Sequence, residues 1–137
     1  MIALIIPFLE FLVDKIEAVV RRLEKRQISA KEALEELIGI SKSVVRTEKE
    51  YRGMKVEPRV FSVYQLLKLY NIDNLDAART ISAILLKNSS WMYSSIAQKE
   101  VLREIYKILK DLGVGMKMRV KISKDLLDLG RRLVTVE

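Results

Sequence analysis

The chain contains neither cysteine nor histidine in its 137 residues. These two absences exclude thiol nucleophiles, zinc fingers, imidazole general bases and histidine-ligated metals. A chain without cysteine also has no disulfide scaffold, which is typical of an intracellular protein. There are only two prolines and five glycines, and the glycines form no phosphate-binding loop. We therefore expect no metal site and no cofactor.

Long hydrophobic runs are also lacking. The most apolar segment, residues 2–13, is interrupted by Pro7 and Glu10 and is followed by Asp14. It is shorter than the ~20 apolar residues that cross a bilayer, and no basic residue precedes it as in a signal peptide. With 50% hydrophobic and 31% charged residues, the composition is that of a globular protein. We expect a soluble, cytoplasmic protein without a membrane partner.

Apolar residues recur at steps of three and four along most of the chain, which predicts helices. The predicted helices cover about 7–25, 29–50, 59–71, 74–87 and 95–112, with a last helix that starts between Met116 and Ser123. Residues 116–122 alternate as in a strand, but one lone strand would have no partner. The sequence predicts one all-α, bundle-like domain of five or six helices. It consists of a helical hairpin over about 7–50, a loop over 51–58 and a helical remainder over 59–137.

Polar residues and one glycine mark the predicted helix ends. Ser29 with Glu32, and Ser95 with Gln98, have the spacing of capping boxes. The other predicted end residues are Asp73 or Asn74 as an N-cap, and Asn71 and Gly113 at C-termini.

The formal net charge of +7 is unevenly distributed. Residues 1–50 are neutral, and the excess lies in 51–115 and 116–137. A basic surface favours binding to an anion, with nucleic acid first, although a lysine-rich solvated surface has the same composition. No aromatic residues interleave with the C-terminal basic cluster, which argues against stacking on single-stranded bases. The candidate phosphate contacts are Lys117, Arg119, Lys121, Lys124, Arg131 and Arg132.

Catalytic candidates are few. The paired carboxylates are Glu35 with Glu36 and Asp125 with Asp128, and all four belong to amphipathic helices in which acidic residues normally face water. A serine nucleophile would need lysine as its base, and Lys99 follows Ser95 by one helical turn. Such a hydrolase would also need an oxyanion hole, and Ser95 is already assigned a capping role. We expect a chain that catalyses nothing by itself.

Trp91 and Tyr93 precede the fifth predicted helix and form a candidate partner interface. A tryptophan in a connection either plugs a helical bundle or anchors an interface, because both uses exploit its large apolar area. Of the two, we favour the plug for Trp91.

Several segments resemble the C-terminal helical domain of the R (restriction, motor) subunit of type I restriction enzymes. They are residues 26–29 (RQIS), 32–37 (EALEEL) and 61–67 (FSVYQLL), then Trp91, and residues 99–109 (KEVLREIYKIL). The resemblance covers nearly the whole chain.

In that family the nuclease and the ATP-driven translocase lie in earlier domains of an ATP-dependent, site-specific deoxyribonuclease. The C-terminal domain docks the R subunit onto the modification (methyltransferase) core. The resemblance therefore implies a non-catalytic module whose partners are the modification and specificity subunits. This chain has no Walker A loop and no nuclease motif, in agreement with that role.

The alternative is a free-standing basic helical protein that binds DNA or RNA. The apolar start, residues 2–8, adds the expectation of a homodimer.

Overall fold

The computed structural model describes residues 6–87 and 89–134. In this part of the chain there are six α-helices, one short 3-10 helix and no strand. The α-helices are α1 (Ile6–Glu24), α2 (Ala30–Gly53), α3 (Pro58–Leu69), α4 (Leu75–Lys87), α5 (Ser95–Asp111) and α6 (Met116–Val134), and the 3-10 helix is Ser89–Met92. The all-α prediction is confirmed, and the strand-like residues 116–122 are helical from Met116 onward. No helix among the described residues has the length and apolar character needed to cross a membrane.

The chain divides into two compact units. The two-helix unit is Phe8–Lys55, and the bundle unit comprises the described residues from Val56 onward. The predicted loop over 51–58 is wrong at its start, because α2 continues to Gly53 and only residues 54–57 connect it to α3. The last turns of α2 carry an ion pair of 3.6 Å between Glu48 and Arg52, a spacing that supports helix.

In the bundle unit, α3 packs closely against α4 and α6. Helix α5 packs against the same two helices, and α4 packs against α6. Every residue from 61 to 67 is buried, so α3 has no solvent face in that stretch. The three-residue spacing of Phe61, Tyr64 and Leu67 would by itself indicate only a one-sided apolar stripe. The buried run includes the polar residues Ser62 and Gln65, so an apolar pattern alone would not predict that this helix is buried on all sides.

The two-helix unit is assembled differently. Arg22 of α1 and Glu36 of α2 form an ion pair of 2.9 Å, and both helices belong to the same compact unit. The large buried side chains of α1 are Phe8, Phe11, Leu12 and Val19. The buried residues of α2 are small or polar, namely Ala33, Ser43 and Thr47. Both helices also expose large apolar residues: Val13, Ile16, Val20, Leu23, Leu34, Ile38 and Val45.

Helix N-termini are capped largely as predicted, with one shift. Ser29 and Glu32 form the predicted capping box, and Asn74 caps α4 by accepting a bond of 3.0 Å from the Ala77 amide. The prediction for α5 is wrong by one residue. Its N-cap is Ser94, which accepts from the Ala97 amide, and Ser95 is the first helical residue. Two adjacent serines offer two cap positions, and the local sequence does not choose between them.

Three helices end at a residue with a positive φ. These residues are Arg26 (φ 57°), Asn71 (φ 62°) and Gly113 (φ 84°). After each of them the chain makes the reversed bonds that satisfy the last helical carbonyls, such as Ile72 N–H to Leu67 O and Val114 N–H to Leu109 O. The predictions for Asn71 and Gly113 are confirmed, whereas an arginine in this conformation was not expected.

Candidate interaction site

Trp91 is the centre of the best-defined site in the bundle unit. It lies in the 3-10 helix Ser89–Met92, its side chain is 1% exposed, and its indole N–H donates to the Leu85 carbonyl at 2.9 Å. The plug is therefore the use that the structure shows, and the indole ring is not available as an exposed interface anchor. A buried tryptophan with its N–H satisfied fixes the connection between α4 and α5.

Gly130 of α6 gives the indole its space. A Cβ at position 130 would lie 3.1 Å from Cζ2 of Trp91 and 3.2 Å from Cδ2 of Leu85, closer than side-chain atoms normally pack. The guanidinium of Arg131 lies over the same ring at 5.5 Å from its centroid, within cation–π range. One of the predicted phosphate contacts thus covers the plug.

Tyr93 and Ile96 project from the segment that the plug holds in place. Tyr93 is 88% exposed and Ile96 is 73% exposed. They stand on either side of the cap residue Ser94, whose backbone N–H, like that of Tyr93, donates to Ser90 O at 3.0 Å. We call Tyr93 and Ile96 the docking knob. Sequence reasoning found Tyr93 and missed Ile96, because an isoleucine in the first turn of an amphipathic helix reads as a core residue.

The six candidate phosphate contacts do not form one surface. Lys117, Lys121 and Lys124 are exposed and share one face of α6, since they are four and three residues apart. Arg131 is on the same face, but Asp128 lies between it and the lysines. Arg119 is half-buried, and its position two residues after Lys117 places it on another side of the helix. Arg132 pairs with Asp128 at 3.4 Å.

A second basic row on α5 was not predicted. Lys99, Arg103, Lys107 and Lys110 are all exposed, at steps of four, four and three residues. The spacing of these four basic residues could have been read from the sequence. It was missed because the apolar stripe of the same helix is the more regular pattern.

Three of the four carboxylates considered for catalysis are engaged in structural contacts. Asp125 accepts a hydrogen bond from the Tyr70 hydroxyl, which ties the end of α3 to α6. Burial, followed by the hydrogen bond to Asp125 and its negative charge, raises the pKa of Tyr70 well above its ordinary value of 10.0. Asp128 and Glu36 are in the ion pairs with Arg132 and Arg22. The remaining candidates, Glu35, Ser95 and Lys99, are exposed to solvent.

A cleft of mixed polar and apolar lining lies between α4 and α5, with a volume of about 690 Å³. The charged residues that line it are Lys87, Glu100, Arg103 and Glu104, so both signs alternate along its walls. Within residues 6–87 and 89–134, no three or more acidic side chains are grouped as a metal site would need. The cleft thus contains no set of groups that points to a particular ligand.

Part of the predicted dimer contact lies outside the described residues. Residues 1–5, which include most of the apolar start, are among those not described, and Phe8 is fully buried. Phe8 therefore offers no apolar surface to a second copy.

Fold and surface together define a helical protein with an aromatic and an aliphatic side chain, Tyr93 and Ile96, exposed next to the buried Trp91. Comparisons of the chain with family models, with curated proteins and with solved structures find no match.

Proposed function

We propose that the chain is a non-catalytic docking module that binds a protein partner through the docking knob. The observation that carries this proposal is the 88% exposure of Tyr93 on a segment fixed by the buried Trp91. A tyrosine has a large amphipathic ring and few side-chain torsions, so it loses little conformational entropy on binding and is frequent among interface hot spots. Ile96 extends the apolar part of the knob.

The partner that we propose is the modification (methyltransferase) core of a type I restriction enzyme, with its specificity subunit. This partner is suggested by the resemblance of residues 26–29, 32–37, 61–67 and 99–109 to the R subunit. The resemblance to the R subunit also includes Trp91. In this proposal the chain contributes binding, and the nuclease and motor reactions belong to other domains of the R subunit.

A capture experiment tests the docking proposal. The tagged chain is mixed with the purified modification and specificity subunits, and the bound fraction is measured over a range of concentrations. We expect stable capture without DNA, and a dissociation constant at least about tenfold higher for the Tyr93→Ala, Ile96→Ala double variant, because hot-spot truncations usually cost that much or more.

Met116→Ala is the matched control. Met116 is 60% exposed in the same unit but lies at the start of α6, away from the knob in sequence. Its truncation is expected to leave the dissociation constant unchanged. Absence of capture by the unmodified chain would refute the proposed partner, whereas capture that is insensitive to the knob variant would refute the proposed surface.

Nucleic-acid binding is the second candidate function, and the exposed row of Lys117, Lys121 and Lys124 favours it. Lysines that neutralise phosphates release counterions, so affinity for duplex DNA would fall steeply as salt rises. Replacing the three lysines with glutamine would then reduce both the affinity and its salt dependence. Salt-insensitive association with the modification subunits, with no binding to DNA alone, would count against this function.

A further inference from the structure

One face of α2 is exposed along most of the helix. It is formed by residues at alternating steps of three and four, the spacing of a coiled-coil seam. We call this face the α2 stripe, and it consists of Lys31, Leu34, Ile38, Ser41, Val45 and Glu48. All six are exposed, and the three large apolar residues, Leu34, Ile38 and Val45, are exposed to 59%, 46% and 66%. Apolar residues in a row at this exposure mark an interaction surface.

The α2 stripe of one copy is complementary to the α2 stripe of a second copy that runs antiparallel to it. The pairs 31 and 48, 34 and 45, and 38 and 41 are each symmetric about the point between residues 39 and 40. If two copies of α2 lie antiparallel about a two-fold axis at that point, Leu34 faces Val45 of the second copy. Ile38 then faces the small Ser41, so a large residue meets a small one at the centre.

The charges of the stripe agree with the same arrangement. In the antiparallel pair, Lys31 at one end faces Glu48 of the second copy. At the other end, Glu48 faces Lys31 of the second copy. Beside the stripe, Glu35 and Lys42 are also exposed, and they come to opposite positions in the two copies. A parallel pair would instead place Lys31 against Lys31 and Glu48 against Glu48, which is unfavourable.

We propose that a second copy of this chain binds the α2 stripe, forming an antiparallel, two-fold symmetric helix pair. Such an interface is isologous, since each copy contributes the same residues. The existing ion pair of Glu48 with Arg52, 3.6 Å long with both side chains more than 70% exposed, is weak enough to rearrange. The proposed interface lies in the two-helix unit, whereas the docking knob belongs to the bundle unit.

The test uses analytical ultracentrifugation of the full chain over a wide concentration range. We expect a monomer–dimer equilibrium whose dissociation constant rises about tenfold in Lys31→Glu and in Glu48→Lys, because each change replaces two attractive contacts per dimer by repulsive ones. The double variant Lys31→Glu, Glu48→Lys restores opposite charges and is expected to dimerise like the unmodified chain. A mixture of the two single variants is expected to form a heterodimer.

Register is tested separately with introduced cysteines, since the natural chain has none. Under oxidation, a mixture of Leu34→Cys and Val45→Cys chains is expected to form mixed disulfides, while each variant alone remains uncrosslinked. A parallel pair would give the reverse result. Circular dichroism confirms that each variant keeps its helices.

A chain that stays monomeric at all concentrations would overturn the proposal. A dimer whose dissociation constant is unaffected by both charge variants, or one in which the double variant is not restored, would overturn it as well, because the contact would then lie on another face.

Discussion

Helices α2 and α5 have similar apolar periodicity, but they differ in which residues they bury. In the bundle unit, α5 buries Val101, Ile105 and Leu109, whereas in the two-helix unit α2 buries only Ala33, Ser43 and Thr47. Three large apolar residues of α2, namely Leu34, Ile38 and Val45, are exposed, and Leu37, Ile40 and Val44 are half-buried. An apolar stripe therefore shows that a helix has a face to bury, but it does not show whether the chain itself supplies the partner. The comparison between the two units predicts different responses to the same kind of substitution.

The largest difference is expected between Trp91→Ala and Leu34→Ala. Trp91 is 1% exposed and Leu34 is 59% exposed. Truncating the buried indole leaves a cavity and costs the bundle unit about 3–5 kcal/mol. Truncating Leu34 in dilute solution is expected to change stability by less than about 0.5 kcal/mol. Urea unfolding followed by far-UV circular dichroism measures both, since Trp91→Ala removes the only tryptophan. A cost above about 2 kcal/mol for Leu34→Ala would mean that α2 buries this residue in the monomer.

Two glycines within helices give the next comparison. Gly130→Ala is expected to destabilise the bundle unit by about 1–3 kcal/mol, because the new Cβ would lie 3.1 Å from the Trp91 ring. Gly39→Ala in α2 meets no atom within 4 Å. It is expected to stabilise the helix by about 0.5–1 kcal/mol, since alanine loses less backbone entropy on folding. Tryptophan fluorescence follows the first variant, and circular dichroism follows both. If Gly130→Ala and Gly39→Ala changed the stability by the same amount and in the same direction, the proposed difference in packing around the two glycines would be contradicted.

The smallest effects are expected at the helix ends. Gly113 and Arg26 both have a positive φ, in the bundle unit and the two-helix unit respectively. Gly113→Ala introduces strain at φ 84° and is expected to cost about 1 kcal/mol. Arg26→Gly relieves such strain and is expected to stabilise by about 0.5–1 kcal/mol. Thermal unfolding is sensitive enough to detect both shifts. No gain for Arg26→Gly would indicate that the arginine side chain makes a compensating contact.

Most of the fold was accessible from the sequence because helix formation is a local property. The periodicity of three and four residues found all six helices, and the cap residues Ser29, Asn71 and Gly113 lie where they were predicted. The errors occurred where two neighbours offered equivalent chemistry, as Ser94 and Ser95 did. They also occurred where a helix continued beyond its predicted end, as α2 does to Gly53.

The candidate site was found only in part. Tyr93 was identified from its residue type, but its exposure, the burial of Trp91 and the division of the basic residues between faces were not.

The sequence by itself determined the helical class, the order of the helices and the absence of cysteine and histidine chemistry, since these depend on composition and on contacts within a few residues. Only the tertiary structure decided which apolar faces are buried, because burial depends on residues far apart in the chain. It placed Gly130 of α6 against Trp91, and it left Leu34, Ile38 and Val45 of α2 in water.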